Sequence, residues 1–155
     1  MDDISVKEIL DYAKINEDNA RMFYLQAAEH ASLENVRAFL LSLAKEEQRH
    51  LEKLTELERI IERGEPIPAP SDLVKPLGYA EYLGEIKIDA DANYQEILRA
   101  AMAKEREALE SYKKYFNLVD NNKAKDLFLL LANEESRHLR HFEERFDDFM
   151  REIEE

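Results

Sequence analysis

Two stretches of the sequence, "LAKEEQRHL" (Leu43–Leu51) and "LANEESRHL" (Leu131–Leu139), each set a glutamate three residues before a histidine: Glu47 with His50, and Glu135 with His138. Three residues is close to one helical turn, so each pair shares a face and can approach a common atom. That face also carries Leu43 and Leu54 in the first case, and Leu131 and Phe142 in the second, so it belongs inside. Two further apolar stripes carry Glu17 and Glu105 at their centres. An unpaired carboxylate in an apolar core costs several kcal/mol, and no Lys or Arg shares these central levels to offset it. Two divalent cations would, since four carboxylates carry −4 and two dications carry +4. Carboxylate and imidazole donors in this ratio are too hard for copper(I) and unlike tetrahedral structural zinc. Two iron ions fit best, manganese is possible, and zinc is an opportunistic occupant. The chemistry on offer is redox chemistry at a buried metal pair.

Such donors must be held by helices, and the spacing says where. Ser5 and Glu8 form a capping-box pattern. From there Val6, Leu10, Ala13, Glu17, Ala20, Tyr24, Ala27 and Ala31 keep to one seam. A second seam runs Val36, Leu40, Leu43, Glu47, His50, Leu54, Leu57 and Ile61, with Gly64 to stop it. A third, capped by Asn93 and Glu96, runs Tyr94, Leu98, Ala101, Glu105, Ala108, Tyr112, Tyr115 and Val119. The fourth carries Ala124, Phe128, Leu131, Glu135, His138 and Phe142, then loosens, because Arg145 falls on the stripe. Helices are therefore expected at about 5–31, 34–63, 92–120 and 123–152, in a single domain spanning 1–155. The acidic ending "REIEE" opposes the helix dipole and is expected to fray. All four prolines fall between the second and third helices, so residues from about 64 to 91 form a long crossover with one short turn around Tyr79–Leu83. A link that long can run the length of a bundle, whereas the short links join antiparallel neighbours. The fold class is all-α: a four-helix bundle of two αα-hairpins joined by a crossover. The halves also repeat. Glu17 and Glu105, Tyr24 and Tyr112, Glu47 and Glu135, and His50 and His138 all stand 88 residues apart. One glutamate from each of two helices, plus Glu-x-x-His from each of the other two, is the ligand arrangement of carboxylate di-metal bundles.

Composition removes the competing classes. With no cysteine, thiol catalysis, disulfides and cysteine-held iron are excluded. A net charge of −13 leaves no basic footprint for nucleic acid. No apolar run is long enough for a membrane span, and the acidic opening "MDDISVKEIL" has no signal-peptide core. A soluble, cytoplasmic protein is expected.

With those residues placed, the chain resembles the rubrerythrin type of ferritin-like di-iron proteins. "INEDNARMFY" and "MAKEREALESY" resemble that family's ligand glutamate followed seven residues on by tyrosine, and "LAKEEQRH" and "LANEESRH" resemble its two Glu-x-x-His helices. The resemblance implies a ferritin-like bundle with ligands Glu17, Glu47, His50, Glu105, Glu135 and His138, of which Glu47 and Glu135 would bridge the irons. It implies that Tyr24 and Tyr112 are hydrogen-bond partners of the glutamates; the plainer alternative is a pair of core aromatics. It implies a homodimer that reduces hydrogen peroxide or dioxygen. The chain departs from the family twice. Without cysteine it has no rubredoxin domain, so its electrons must come from a separate donor such as a rubredoxin-like protein. The family's additional glutamate, three residues after the third-helix ligand, is Ala108 here, with Ala20 as its repeat mate. The remaining set of six ligands is closer to a ferroxidase site, so an iron-oxidising protein is one alternative and a non-catalytic metal-binding bundle the other. Glu46, Glu134 and His141 are expected to face solvent, and His30 to sit near a helix end. Phe23, Phe39, Tyr79 and Tyr82 are expected to pack under the crossover, with a dimer face as the alternative for some of them.

Overall fold

The computed structural model describes residues 4–70, 72–83 and 87–154. They form four α-helices, α1 (Val6–His30), α2 (Glu34–Glu62), α3 (Tyr94–Leu118) and α4 (Asn122–Glu154), with one 3₁₀ turn at Tyr79–Tyr82 and no strand among the described residues. Local chemistry sets the helix ends. Ser5 accepts from the Glu8 amide at 3.1 Å, and Asn93 and Glu96 form a reciprocal capping box. Gly64, at φ +80°, ends α2 in the left-handed conformation while its amide and that of Glu65 donate back to Ile61 and Ile60. At the other terminus α4 is helical through Glu154, and Glu155, the last residue of "REIEE", lies outside the described residues.

Helix α1 packs along α2 and α3 along α4, and the hairpins meet along α1 and α4 and, more narrowly, α2 and α3. The inward stripes are as the periodicity requires: Leu10, Ala13, Tyr24, Leu40, Leu43, Leu54, Leu98, Ala101, Tyr112, Phe128 and Leu131 are all buried. A second set on the other hairpin, Ala100, Leu109, Ala132, Asn133, Ser136 and Leu139, is buried for a different reason. The crossover lies over that face. Asn133 accepts from the Val74 amide at 2.8 Å and donates to the Asp72 carbonyl at 2.7 Å. Farther along, the fully buried carboxylate of Glu143 accepts from the amides of Leu77 at 2.8 Å and Tyr79 at 3.0 Å. The crossover thus runs in the direction of α4 and arrives beside the α1–α2 turn, where the Ser32 amide donates to the Ala90 carbonyl at 2.9 Å. So α3 starts at the same end of the bundle as α2.

Several residues sit where periodicity did not put them. Arg145 reaches across to Glu46 at 3.1 Å, so Glu46 is half-buried and paired rather than solvent-facing; Glu134 is half-buried too, beside Arg137. Tyr79 is exposed and its hydroxyl donates to Asp147, because the 3₁₀ turn rolls its ring outward. Phe39 meets Tyr94 with the rings tilted by 49° at the end of the bundle where the crossover arrives, and Phe23 lies under the Lys104 ammonium in a groove it shares with Leu83 and Lys87 of the crossover. The side chain of Tyr82 is outside what is described. His141 and His30 are exposed. No helix among the described residues is long and apolar enough to cross a membrane.

Candidate metal centre

Each helix delivers one acid to the same level. Glu17 comes from α1, Glu47 from α2, Glu105 from α3 and Glu135 from α4, and all four are buried. His50 and His138 follow one turn later on α2 and α4, with 17% and 14% of their side chains exposed. The His50 Nδ1 lies 3.2 Å from Glu47 Oε2 and 3.6 Å from Glu17 Oε2. Its counterpart, His138 Nδ1, lies 3.5 Å from Glu105 Oε2 and 3.6 Å from Glu135 Oε2. The two imidazoles stack face to face, with centroids 3.8 Å apart and planes 7° off parallel. All six residues singled out in the sequence therefore converge, and the twofold repeat is visible in the distances.

Proton affinities divide along the same repeat. Burial opposes charge on Glu17, yet the hydrogen bonds from His50 and with Glu47 and Glu135 outweigh it and hold this carboxyl at about 2. Burial also opposes charge on Glu105, whose bonds with Glu135 and His138 likewise bring it below the usual range. For Glu47 burial wins, helped by the nearby charges of Glu105 and Glu17, and the group is pushed up to about 10. Burial and the Glu105 charge raise Glu135 in the same way. Burial should lower both imidazoles, but the carboxylates reverse it: His50 rises to about 9 and His138 also rises. Glu17 and Glu105 are thus the more acidic pair, Glu47 and Glu135 hold a proton more tightly, and both imidazoles are more basic than free ones.

Do these residues fit a metal pair? Donor atoms of Glu17, His50 and His138 lie within 4.8 Å of one another, as do those of Glu105, Glu135 and His138. The centre has oxygen and imidazole donors and no thiolate, which suits iron or manganese. Tyr24 and Tyr112 point the same way. Their rings are buried and neither hydroxyl has a hydrogen-bond partner, although Asn16 is the polar neighbour of Tyr112. Burial raises the pKa of both, Tyr24 also feeling the charge of Glu105 and Tyr112 that of Glu135. Native proteins rarely leave a buried hydroxyl unpaired, and both hydroxyls lie within the field of the centre's glutamates. The hydrogen bonds expected of the two tyrosines are absent in this state. The donor set fits.

Two openings reach the centre. Between α1 and α3, a cavity of about 240 Å³ is lined by Asn16, Glu17, Ala20, Glu105, Ala108 and Ser111. Between α2 and α4, one of about 200 Å³ reaches both histidines past leucines. Neither lining was foreseen beyond the ligands and Ala20 and Ala108, because Asn16 and Ser111 read as ordinary polar helix positions.

The rubrerythrin family's sequence profile matches residues 8–146, a span that contains all six donors and the crossover. The chain belongs to the rubrerythrin family. Rubrerythrins are di-iron carboxylate proteins, which agrees with the donor groups that can hold metal here. Among solved structures, the chain is similar to a hypothetical protein from Pyrococcus furiosus, with 25% identity, 93% of this chain and 89% of that one covered, and a TM-score of 0.50. No curated protein matches.

Proposed function

We propose that this rubrerythrin is a di-iron oxidoreductase that reduces hydrogen peroxide or dioxygen, with Glu17, Glu47, His50, Glu105, Glu135 and His138 as the metal ligands. The observation that carries the reading is the convergence of four buried glutamates and two stacked histidines, one acid from each helix. Bound there, an iron pair supplies an electron from each ion for reduction of an O–O bond.

The protein's part is positioning, exclusion and proton handling. Glu17 and Glu105, the more acidic pair, remain charged and hold the dications electrostatically. Glu47 and Glu135 would give up their protons to do the same. His50 and His138 would ligate through Nδ1, the atom that already faces the carboxylates. The cavity between α1 and α3 is the entry for a small oxidant, since Ala20 and Ala108 leave it open beside the Glu17 and Glu105 carboxylates. Asn16 and Ser111 can orient the oxidant by hydrogen bonds, and Glu107 at the mouth can relay the protons that O–O reduction consumes. Re-reduction falls to a separate donor such as a rubredoxin-like protein, because the chain has no cysteine to hold an electron-transfer iron of its own. The working assembly we assign is a homodimer.

One observation favours a second reading. The alanine at 108 leaves a six-ligand centre, the composition of a site that oxidises and passes on Fe(II). Stopped-flow absorbance of protein loaded anaerobically with Fe(II) separates them. Oxidation by peroxide that far outpaces oxidation by oxygenated buffer supports the peroxidase. Comparable or faster oxidation by oxygen moves the assignment to a ferroxidase or oxidase, and no oxidation by either leaves a non-catalytic metal bundle.

A further inference from the structure

The opening between α2 and α4 differs in kind from the one between α1 and α3. Its walls are Leu54, Leu57, Leu130 and Leu131, and its floor is the edge of the histidine stack with Glu17 and Glu135. The Nδ1 atoms of both histidines face the carboxylates, so the opposite ring nitrogens, Nε2, are turned away from them. Among the described residues no protein acceptor bonds either Nε2. A ligating histidine normally gives its second N–H to a carboxylate, a carbonyl or water, so two parallel donors here aim at whatever fills the leucine-walled space. This cleft, open at its mouth, offers about 200 Å³, comparable in size to an engineered closed cavity of about 150 Å³ that takes benzene.

We infer that this cavity is a binding site for a small neutral organic molecule of about six carbons, with an apolar body against the leucines and one carbonyl-type acceptor on the His50 and His138 Nε2–H groups. The lining favours a neutral ligand, because apart from the proposed metal ligands it offers four leucines, one acid, Glu134, and one cation, Lys53. The site lies across the metal centre from the polar entry, so an organic ligand and a small oxidant would reach the centre from opposite sides. The inference rests on the metal reading only for the tautomer, since Nδ1 ligation leaves the proton on Nε2.

Cyclohexanone is the test ligand, and zinc-loaded protein with ¹⁵N-labelled histidine is the diamagnetic sample. Zinc content per chain is measured first, so that failure of the metal site is seen separately from failure of ketone binding. Titration should shift both Nε2 signals together with the methyls of the four leucines. Hexanoate, matched in carbon number but charged, should bind about ten-fold more weakly or worse. Leu130→Trp, which fills the half-buried mouth, should weaken cyclohexanone by about ten-fold with zinc content unchanged. If that variant does not fold, Leu130→Ala replaces it, and the preference should move toward the larger cyclooctanone. Unmoved Nε2 signals at high ketone, hexanoate binding as tightly as the ketone, or a mouth substitution without effect would each overturn the inference.

Discussion

At the scale of single residues, the proton inventory of the metal-free centre sets its response to pH. Glu47 ordinarily titrates at 4.5 and here at about 10, and His50 moves from 6.5 to about 9. Both changes mean that the folded state binds more protons than the unfolded chain between those values, so stability falls as pH rises through that window. The His50 contribution is complete below 6.5 and lost as pH climbs through about 9. Glu17 acts oppositely, stabilising above 4.5 and losing its effect as pH falls toward 2. Calorimetry on chelator-treated protein should therefore find the highest Tm in mildly acidic buffer and a decline toward pH 9; a Tm that rises over that range would contradict the assignment. Metal affinity should run the other way, because filling the centre expels protons from the carboxyls and imidazoles whose affinity for them is raised. Tyr24 supplies a second residue-level prediction. With its hydroxyl buried and unpaired, Tyr24→Phe should leave metal-free stability unchanged or raise it by about 1 kcal/mol in urea unfolding. A loss of about 2 kcal/mol would mean the hydroxyl has a partner after all.

At the scale of elements, the crossover depends on one buried acid. Replacing Glu143 by alanine strands the amides of Leu77 and Tyr79 and should cost about 3 kcal/mol, with hydrogen exchange at those two amides accelerating before that of the helices. Glutamine keeps an acceptor for one amide and should fall between. None of this could be read from the sequence, and the reason is physical. Periodicity reports which face of a helix is inward but not what lies over its back, and an acid off the seam reads as solvated. The partners of Glu143 are 64 and 66 residues earlier, and Arg145 meets Glu46 at a separation of 99. By contrast, the inward seams, the caps at Ser5 and Asn93 and the polar interruption at Glu17, Glu47, Glu105 and Glu135 were all legible. Each rests on spacings within one helix, or on the 88-residue repeat. The tyrosines were placed correctly inside, but their hydroxyls have no partner in the structure, since periodicity fixes the face a phenol takes and not the acceptor it meets.

For the whole molecule, the metals act as a clasp between hairpins. Each hairpin supplies two glutamates and one histidine, so ions held at the centre bind the folded state and not the unfolded chain. At a thousand-fold excess over Kd that linkage gives about 4 kcal/mol, and for a domain of this size about 10 °C in Tm. Differential scanning of zinc-loaded against chelated protein measures it, and an unchanged Tm would deny the centre any hold on the fold.

The crossover makes the two hairpins unequal in time as well as in shape. Apart from the Ser32–Ala90 bond at the α1–α2 turn, its hydrogen bonds described above go to α4, so the α3–α4 hairpin is strapped, while α1 and α2 keep Ile15, Met22 and Leu41 exposed. The less strapped hairpin should be the first to open, and because it carries half of the ligands, the residence time of a bound ion should follow the lifetime of its closed form. Metal loss to a chelator should become independent of chelator concentration once it is in excess, at a rate matching amide exchange in the middle of α1 and α2.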